Sequence, residues 1–230
     1  MTRVLVPVAV LDGETVSAGL MNLLSTMDVT VLGYHVLPEQ TPPDQARTQF
    51  GERATAALED LSEEFRTAGG DADHRLVFTH DRQQSVERVA DDVGAAAYGI
   101  SGTTGDVEQL LVSLTGDVDP TQIGEFVVEL IGDRAIGVTL FVAGDDDGRL
   151  ETATDLLAEA GIETETRRAD GRPFDALIDA VADHDGIVMG ERAPSLSSFV
   201  FGDEAERVAA ASVGPVLVVR SEDEQSEPPE

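Results

Sequence analysis

The sequence predicts an α/β protein made of two doubly wound domains, each a parallel sheet covered by helices, with the first domain truncated. Short apolar segments alternate with longer amphipathic segments along the 230-residue chain, which is typical of strand–helix–strand units. The pattern restarts after residue 104, because residues 109–114 resemble residues 3–8 and the same order of elements follows. Only the second copy continues into a further helix and a last apolar strand.

In the first copy, apolar runs predict strands at 3–10, 29–37, 73–79 and 95–100. Apolar residues at helical spacing predict helices over 14–27 and 83–93. A long amphipathic helix is expected between them, because Pro42 and Pro43 suit its start and Gly69 and Gly70 suit its end. We assign residues 1–104 to this domain.

The second copy repeats this order over residues 105–221. Strands are expected at 109–114, 136–142 and 162–168, and helices at 120–131, 150–160 and 173–181. The segment Gly186–Arg220 then predicts a strand, a loop rich in Gly, Ser and Pro, a helix that begins near Gly202, and a last strand over 216–219. The acidic tail, 222–230, has no apolar residue and is expected to be disordered.

The charge of the chain excludes several functions. Its 45 acidic residues outnumber its 15 basic ones, all of them arginine, and the net charge is −30. A chain without lysine has no P-loop lysine and no Schiff-base lysine. The charge would also repel a phosphate backbone, so we expect no nucleic-acid partner. At about 1 M salt the Debye length is only about 3 Å. We therefore infer a halophile's cytosol.

Other features argue against membrane insertion and catalysis. The sequence has no cysteine, no apolar run of transmembrane length and no signal-peptide layout, so a cytoplasmic protein without bound metal is expected. The pairs His80-Asp81 and His184-Asp185 are adjacent in the chain, and adjacent residues in a turn seldom face one another. No recognisable motif places a nucleophile beside them, so we predict no enzyme activity.

A small-ligand site is expected where the strand at 187–189 ends. In parallel sheets, ligands lie at the carboxyl ends of strands, and free N–H groups at a helix N-terminus favour anions. In the loop that follows, Ser197 and Ser198 would face a phosphate and Arg192 would clamp it. The alternative is that the serines only satisfy a polar loop and that the arginine pairs with a surface carboxylate.

Several phrases of the chain resemble the universal stress protein family, in a tandem arrangement of haloarchaeal type. They are Val4-Leu-Val-Pro-Val, Tyr34-His-Val-Leu, Gly171-Arg-Pro-Phe-Asp-Ala-Leu, Asp185-Gly-Ile-Val-Met-Gly-Glu-Arg and the closing residues 202–220. The resemblance implies a Rossmann-like fold of the adenine nucleotide alpha hydrolase type. ATP-binding members carry G-x2-G-x9-G-[S/T] after the fourth strand. It also implies a homodimer through the last strand, Val216, Leu217, Val218 and Val219. We expect this strand at an edge of the sheet, where an unpaired apolar edge favours pairing with another chain.

The ATP motif of the family is degenerate in this chain. The motif's first glycine is Gly190, its second falls on Ala193, and Gly202 is followed by Asp203 instead of Ser or Thr. A carboxylate about 4 Å from a phosphate costs roughly 4 kcal/mol at an effective dielectric near 20. In ATP-binding members an aspartate near the adenosine follows the first strand, whereas here that position is Thr115 in the second copy and Ala9 in the first.

The resemblance therefore implies the following adenine-nucleotide site, with ATP as the possible cofactor: Gly190, Arg192, Ala193, Ser197, Ser198, Gly202, Asp203, Thr115 and Val142. It implies a non-enzymatic regulatory protein of the universal stress type in which nucleotide binding by the second domain is weak or lost. The alternatives are a nucleotide-independent dimeric scaffold for an unknown protein partner, and a slow ATPase.

Overall fold

The structure is a computed structural model, and it describes residues 1–103, 105–144, 147–169, 173–191 and 214–221. The side chains of Pro173 and Phe174 are excepted. The loop and helix expected between the last two strands, and the acidic tail, lie outside these ranges.

The strands and helices alternate as the sequence predicts. The strands are β1 (Arg3–Val8), β2 (Asp28–Val36), β3 (Asp71–Thr79), β4 (Ala97–Ile100), β5 (Gln109–Ser113), β6 (Gly137–Ala143), β7 (Thr164–Ala169), β8 (Gly186–Gly190) and β9 (Val216–Val219). The helices are α1 (Ala18–Leu23), α2 (Pro43–Thr67), α3 (Arg82–Val93), α4 (Pro120–Ile131), α5 (Asp147–Glu159) and α6 (Pro173–Val181), with a short 3-10 helix at Val10–Asp12.

Local signals in the sequence set the helix ends. The Asp119 carboxylate accepts the backbone N–H groups of Thr121 and Gln122, and Pro120 occupies the first turn of α4. Helix α3 begins at an equivalent cap, where Asp81 accepts from the N–H of Gln84, and it ends at Gly94 in the left-handed conformation. Polar caps therefore mark where α3 and α4 begin, and a left-handed glycine marks where α3 ends.

All of the described strands join into one sheet of order β3-β2-β1-β4-β9-β8-β5-β6-β7. The first four strands by position form one parallel group and the last five form another, and the two groups meet where β4 pairs antiparallel with β9. We call these groups the first half (β1–β4) and the second half (β5–β9). Helices flank the sheet, so the predicted Rossmann-like α/β class is confirmed.

The prediction that the last strand forms an edge of the sheet is wrong. Val216–Val219 pair with β8 on one side and with Ala97–Ile100 of the first half on the other. The truncated first half lacks a fifth strand of its own, so the outer edge of its β4 is available, and β9 pairs with it inside the chain. A second copy would find no free edge here, so the homodimer contact predicted at Val216, Leu217, Val218 and Val219 is also wrong.

Side chains fix the two halves to each other on the helix layer as well. Arg134, which follows α4, donates to the carbonyls of Asn22 at 2.6 Å and of Leu23 at 2.9 Å at the end of α1. Burial lowers the pKa of this guanidinium. The hydroxyl of Thr26 donates to the carbonyl of Leu130 at 2.9 Å. Helices α1 and α4 are the first helix of each copy, so equivalent elements face one another across the junction.

Candidate functional site

The candidate site lies in the second half, at the carboxyl ends of β5, β6 and β8. Strand β5 pairs with β6 on one side and with β8 on the other, with Ser113 opposite Phe141 and Met189. From β5 the chain continues to β6 and β7 on one side of that strand, and β8 then lies on its other side. The order of strands in the sheet therefore reverses between β5 and β8. At such a switch point, α/β sheets bind ligands beyond the carboxyl ends of the strands. We call this edge of the second half the β5–β8 crevice.

Gly190 ends β8 beside the loop that follows β5. A Cβ atom at this position would fall 2.5 Å from Cγ1 of Val118 and 3.5 Å from Cδ1 of Ile123. No side chain fits unless Val118 moves, since real contacts of a Cβ are longer than 3.0 Å. The absence of a side chain at Gly190 therefore allows the end of β8 to lie close to the loop after β5. This close contact is a structural reason for the glycine, which the sequence analysis identified only from the family motif.

Thr115 and Val142 lie close to this crevice but are largely covered. The hydroxyl of Thr115 accepts the N–H of Ala143 at 3.0 Å, which joins the end of β5 to the end of β6. Thr115 is 5% exposed and Val142 is 1% exposed. The threonine therefore has a structural hydrogen bond where ATP-binding relatives of the predicted family have an aspartate.

Ser113 is a buried polar residue at the carboxyl end of β5, and the sequence reasoning missed it. It is the last residue of β5, it is fully buried, and its hydroxyl forms no hydrogen bond to any described residue. A buried hydroxyl without a partner costs about 1–3 kcal/mol. The first copy has Pro7 at the equivalent position, so a comparison of the two copies would have singled this serine out.

The charges at the edge of the crevice are mixed. Asp117 and Asp119 are exposed, and Asp119 already accepts the free N–H groups of α4. A guanidinium, that of Arg149 near the start of α5, donates to the carbonyl of Gly116. The sequence reasoning missed this residue, although an arginine among acidic residues was a signal.

Gly190, Thr115 and Val142 are the described members of the predicted site, and the structure brings them to one edge of the sheet. Arg192, Ala193, Ser197, Ser198, Gly202 and Asp203 lie outside the described residues. Their contacts with a ligand stay predictions.

The corresponding edge of the first half is filled by its own chain. The register pairs Val4 with Ala97 and Leu110 with Gly186, so Ser101 of the first half corresponds to Gly190. Its hydroxyl accepts the N–H of Ser17 at 2.7 Å, at the start of α1.

In the same half, a carboxylate is hydrogen-bonded to the backbone just after the end of β1. The Glu14 side chain accepts the N–H of Ala9, the counterpart of Thr115, at 2.6 Å. The chain's own hydroxyl and carboxylate thus take N–H groups of the first half at the position where the second half has its crevice.

The two His-Asp pairs are not arranged for proton transfer between their members. Nδ1 of His80 lies 3.2 Å from the carbonyl of Leu37, and Nδ1 of His184 lies 2.8 Å from that of Ala180. The carboxylate of Asp81 accepts the N–H of Gln84, and that of Asp185 accepts the N–H groups of residues 108 and 109. Each ring and each carboxylate therefore contacts the backbone.

The described residues contain neither a cluster of metal-ligating side chains nor a membrane-spanning helix. Among residues 1–103, 105–144, 147–169, 173–191 and 214–221, no group of three or more His, Asp or Glu side chains is arranged to hold a metal ion. Within the same part of the chain, no helix combines the length and the apolar composition needed to cross a bilayer.

Comparison with known proteins supports the resemblance found in the sequence. Residues 129–220 match the model of the Universal stress protein family. Among solved structures, the chain is similar to a universal stress protein from Archaeoglobus fulgidus DSM 4304, with a TM-score of 0.60 and 14% identity over 95% of this chain and 98% of that one. No curated protein matches the chain.

Two further structures share the fold. A functionally unknown protein from Pseudomonas aeruginosa PAO1 has a TM-score of 0.56 and 15% identity, over 98% of this chain and 95% of that one. The cytoplasmic domain of a prokaryotic cation chloride cotransporter has a TM-score of 0.50 and 10% identity, over 98% of this chain and 97% of that one. At these identities the similarity is one of fold.

Proposed function

From the premise that residues 129–220 match the universal stress protein family, we propose that this chain is a non-enzymatic regulatory protein that binds an adenine nucleotide weakly. The site is the β5–β8 crevice of the second half, and the first half binds none. The observation that carries the proposal is the contrast between the two strand ends. Gly190 has no side chain between the end of β8 and the loop after β5, so Val118 packs against its backbone, whereas in the first half Ser101 and Glu14 bind backbone N–H groups at the corresponding strand ends.

The buried hydroxyl of Ser113 supports a polar ligand in this crevice. Its hydrogen-bonding capacity is unused by the described residues, and a ligand group that reached it would recover the cost of its burial. The hydroxyl of Thr115 accepts from Ala143 and still has its own proton to donate. Both groups suit the nitrogen and oxygen acceptors of an adenosine.

The charges at the site predict that the phosphates contribute little to binding. The N–H groups of α4 are taken by Asp119, and the guanidinium of Arg149 is bound to a carbonyl. The exposed carboxylates of Asp117 and Asp119 repel additional negative charge at low salt. We therefore expect AMP to bind as tightly as ATP without magnesium, and magnesium to improve the affinity for ATP alone.

A nucleotide-independent scaffold is the second candidate. The observation that favours it is the burial of Thr115 and Val142, which are 5% and 1% exposed at the predicted adenosine site. On this hypothesis the helices of the two halves present the binding surface, and ligands do not change the stability of the protein.

A thermal-shift titration in multimolar KCl separates the two candidates. The protein is heated with ATP, ADP or AMP, with and without magnesium, and binding raises the melting temperature as RT ln(1 + [L]/Kd). We expect a saturable rise that disappears in Gly202→Val. The matched control is Gly148→Ala, where an added Cβ meets nothing within 4 Å.

Both variants are first compared without nucleotide, so that a change of fold is recognised. An unchanged melting temperature of the wild-type protein at millimolar nucleotide would contradict nucleotide binding and favour the scaffold.

A further inference from the structure

A buried arginine lies where the last strand of the second half ends against the first half. The side chain of Arg220 is 3% exposed. Its Nη1 donates to the carbonyl of Ala95 at 3.0 Å, and its Nη2 donates to the carboxylate of Asp91 at 2.5 Å. Its backbone N–H donates to the carbonyl of Ala96 at 2.8 Å, and its guanidinium lies 5.5 Å from the centroid of the Tyr98 ring.

Every one of these contacts is made with the first half. Asp91 belongs to α3, Ala95 and Ala96 precede β4, and Tyr98 lies within β4. Burial lowers the pKa of Arg220, but Tyr98, Asp91 and Glu191 raise it overall, so the guanidinium stays charged. The arginine is therefore a charged anchor that holds the end of β9 on the first half.

The same strand end also holds the start of the predicted nucleotide loop. Gly190 pairs with Val219, and the N–H of Glu191 donates to the carbonyl of Val219 at 2.8 Å. Glu191 is the residue between the first motif glycine and the predicted phosphate clamp, Arg192. The first residue after β8, Glu191, is therefore hydrogen-bonded to Val219, the residue that precedes Arg220.

We propose that Arg220 is a positioning residue for the nucleotide site, through which the first half sets where the loop after Gly190 begins. The inference rests on the proposed function, because it concerns the same crevice. Without the guanidinium, the Val219 carbonyl still accepts the N–H of Glu191, but the side-chain bonds from residue 220 to Ala95 and Asp91 are lost. Movement of the β9 end then moves Glu191 and the first motif glycine relative to β5. The first half, which binds no nucleotide itself, contributes to affinity through this contact.

The other inter-half arginine supplies a matched control. Arg134 also joins the halves and also binds backbone carbonyls, those of Asn22 and Leu23. It precedes β6, so it lies at the amino ends of the second-half strands, opposite the crevice. Its loss should loosen the junction without displacing the loop.

The test compares Arg220→Met with Arg134→Met in the full chain, by calorimetric titration with AMP in multimolar KCl. Measurements are made below the melting temperature of each variant. We expect both variants to melt at lower temperature, but only Arg220→Met to bind AMP at least about 10-fold more weakly, which corresponds to about 1.4 kcal/mol. Arg220→Lys, which keeps the charge opposite Asp91, should recover part of the affinity.

Asp91→Asn extends the test if Arg220→Met fails to fold. Asparagine at this position removes the charge that pairs with the buried guanidinium of Arg220 but keeps a side-chain oxygen that can accept from its Nη2. The anchor is therefore weakened and not removed, and a several-fold loss of affinity is expected. Equal affinities in wild type and in the foldable Arg220 or Asp91 variants would overturn the positioning role and leave nucleotide binding intact. An equal loss in Arg134→Met would also overturn it. A wild-type protein that binds no AMP would overturn both proposals.

Discussion

The two halves of the sheet arrange their first four strands in the same way but finish the fourth strand differently. In the first half, β4 ends at Ile100, and Ser101 follows and accepts the N–H of Ser17. In the second half, β8 ends at Gly190, and the chain continues to a fifth strand, β9. One half thus has a closed edge and no fifth strand, whereas the other has a crevice and β9.

The difference between the halves lies in how the fourth strand ends and in what pairs with its outer edge. Where the fifth strand is missing, the strand before it keeps an unpaired edge, which is a site for pairing with any other strand. Strand β9 pairs there, so the missing element of one half is replaced by the additional element of the other. The half without a fifth strand is thus also the half in which the residue after the fourth strand, Ser101, is bound to Ser17.

The strongest test of the comparison places proline in the shared strand. Val218→Pro should destabilise the protein by about 3 kcal/mol or more, because β9 lies between two hydrogen-bonded neighbours and proline has no N–H. The matched control is Thr164→Pro, at the first position of the outer strand β7, where proline is tolerated. Thermal unfolding and light scattering are measured together. A folded Val218→Pro protein of half the wild-type mass would mean that β9 joins two chains instead.

An exchange of the residues that end the two fourth strands should have a smaller effect. Gly190→Ser brings a Cβ to 2.5 Å from Val118, and such overpacking costs about 1–3 kcal/mol. The reciprocal Ser101→Gly removes the acceptor for the N–H of Ser17, worth about 1 kcal/mol. Denaturant unfolding without nucleotide measures both values. A larger loss in Ser101→Gly would show that the closed edge, and not the close approach at Gly190, is the more constrained.

The smallest effect is a pH dependence at the junction of the halves. Burial would raise the pKa of Glu129, but hydrogen bonds from the hydroxyl and N–H of Thr2 and the charge of the N-terminus lower it overall. Because the pKa is lower in the folded state, the stabilisation is complete above the ordinary value of 4.5 and is lost as the pH falls below it. We expect Glu129→Gln to be less stable than wild type at pH 7, by less than about 1 kcal/mol since the side chain is 38% exposed.

This difference should disappear at acid pH, where the wild-type carboxyl is protonated as well. Unfolding free energies of both proteins between about pH 7 and pH 3 measure it. A gap that stays constant across that range would mean that Thr2 binds the carboxyl equally well in both protonation states.

The sequence was sufficient to predict the order of the described elements and most of their ends to within two residues. The spacing of apolar residues and the capping residues are local properties of the sequence. Helix α4, for example, is predicted at 120–131 and is observed at Pro120–Ile131. The helix predicted over 14–27 is shorter, Ala18–Leu23, because Ser17 caps it and the residues before it form a turn with Glu14 bonded back to Ala9. The bond between Glu14 and Ala9 depends on side-chain geometry, which the spacing of apolar residues does not indicate.

The position of the last strand could not be predicted from local properties. Val216–Val219 are apolar throughout, which indicates burial on both faces but does not indicate what pairs with each edge. The pairing with Ala97–Ile100 depends on an edge left unpaired more than 100 residues earlier. At the site, Gly190 and Thr115 came from a resemblance, whereas Ser113 and Arg149 carried no motif and emerged only from the contacts.

The antiparallel pairing of β4 with β9 also makes the two halves complementary fragments. A chain cut in the linker near residue 105 would yield one piece with the bare edge of β4 and another with the bare edge of β9. Each piece would present the strand that the other lacks, together with the carbonyls of α1 or the guanidinium of Arg134 that binds them. The sequence predicts two units, but one sheet runs through both of them, so we expect the two pieces to reassemble.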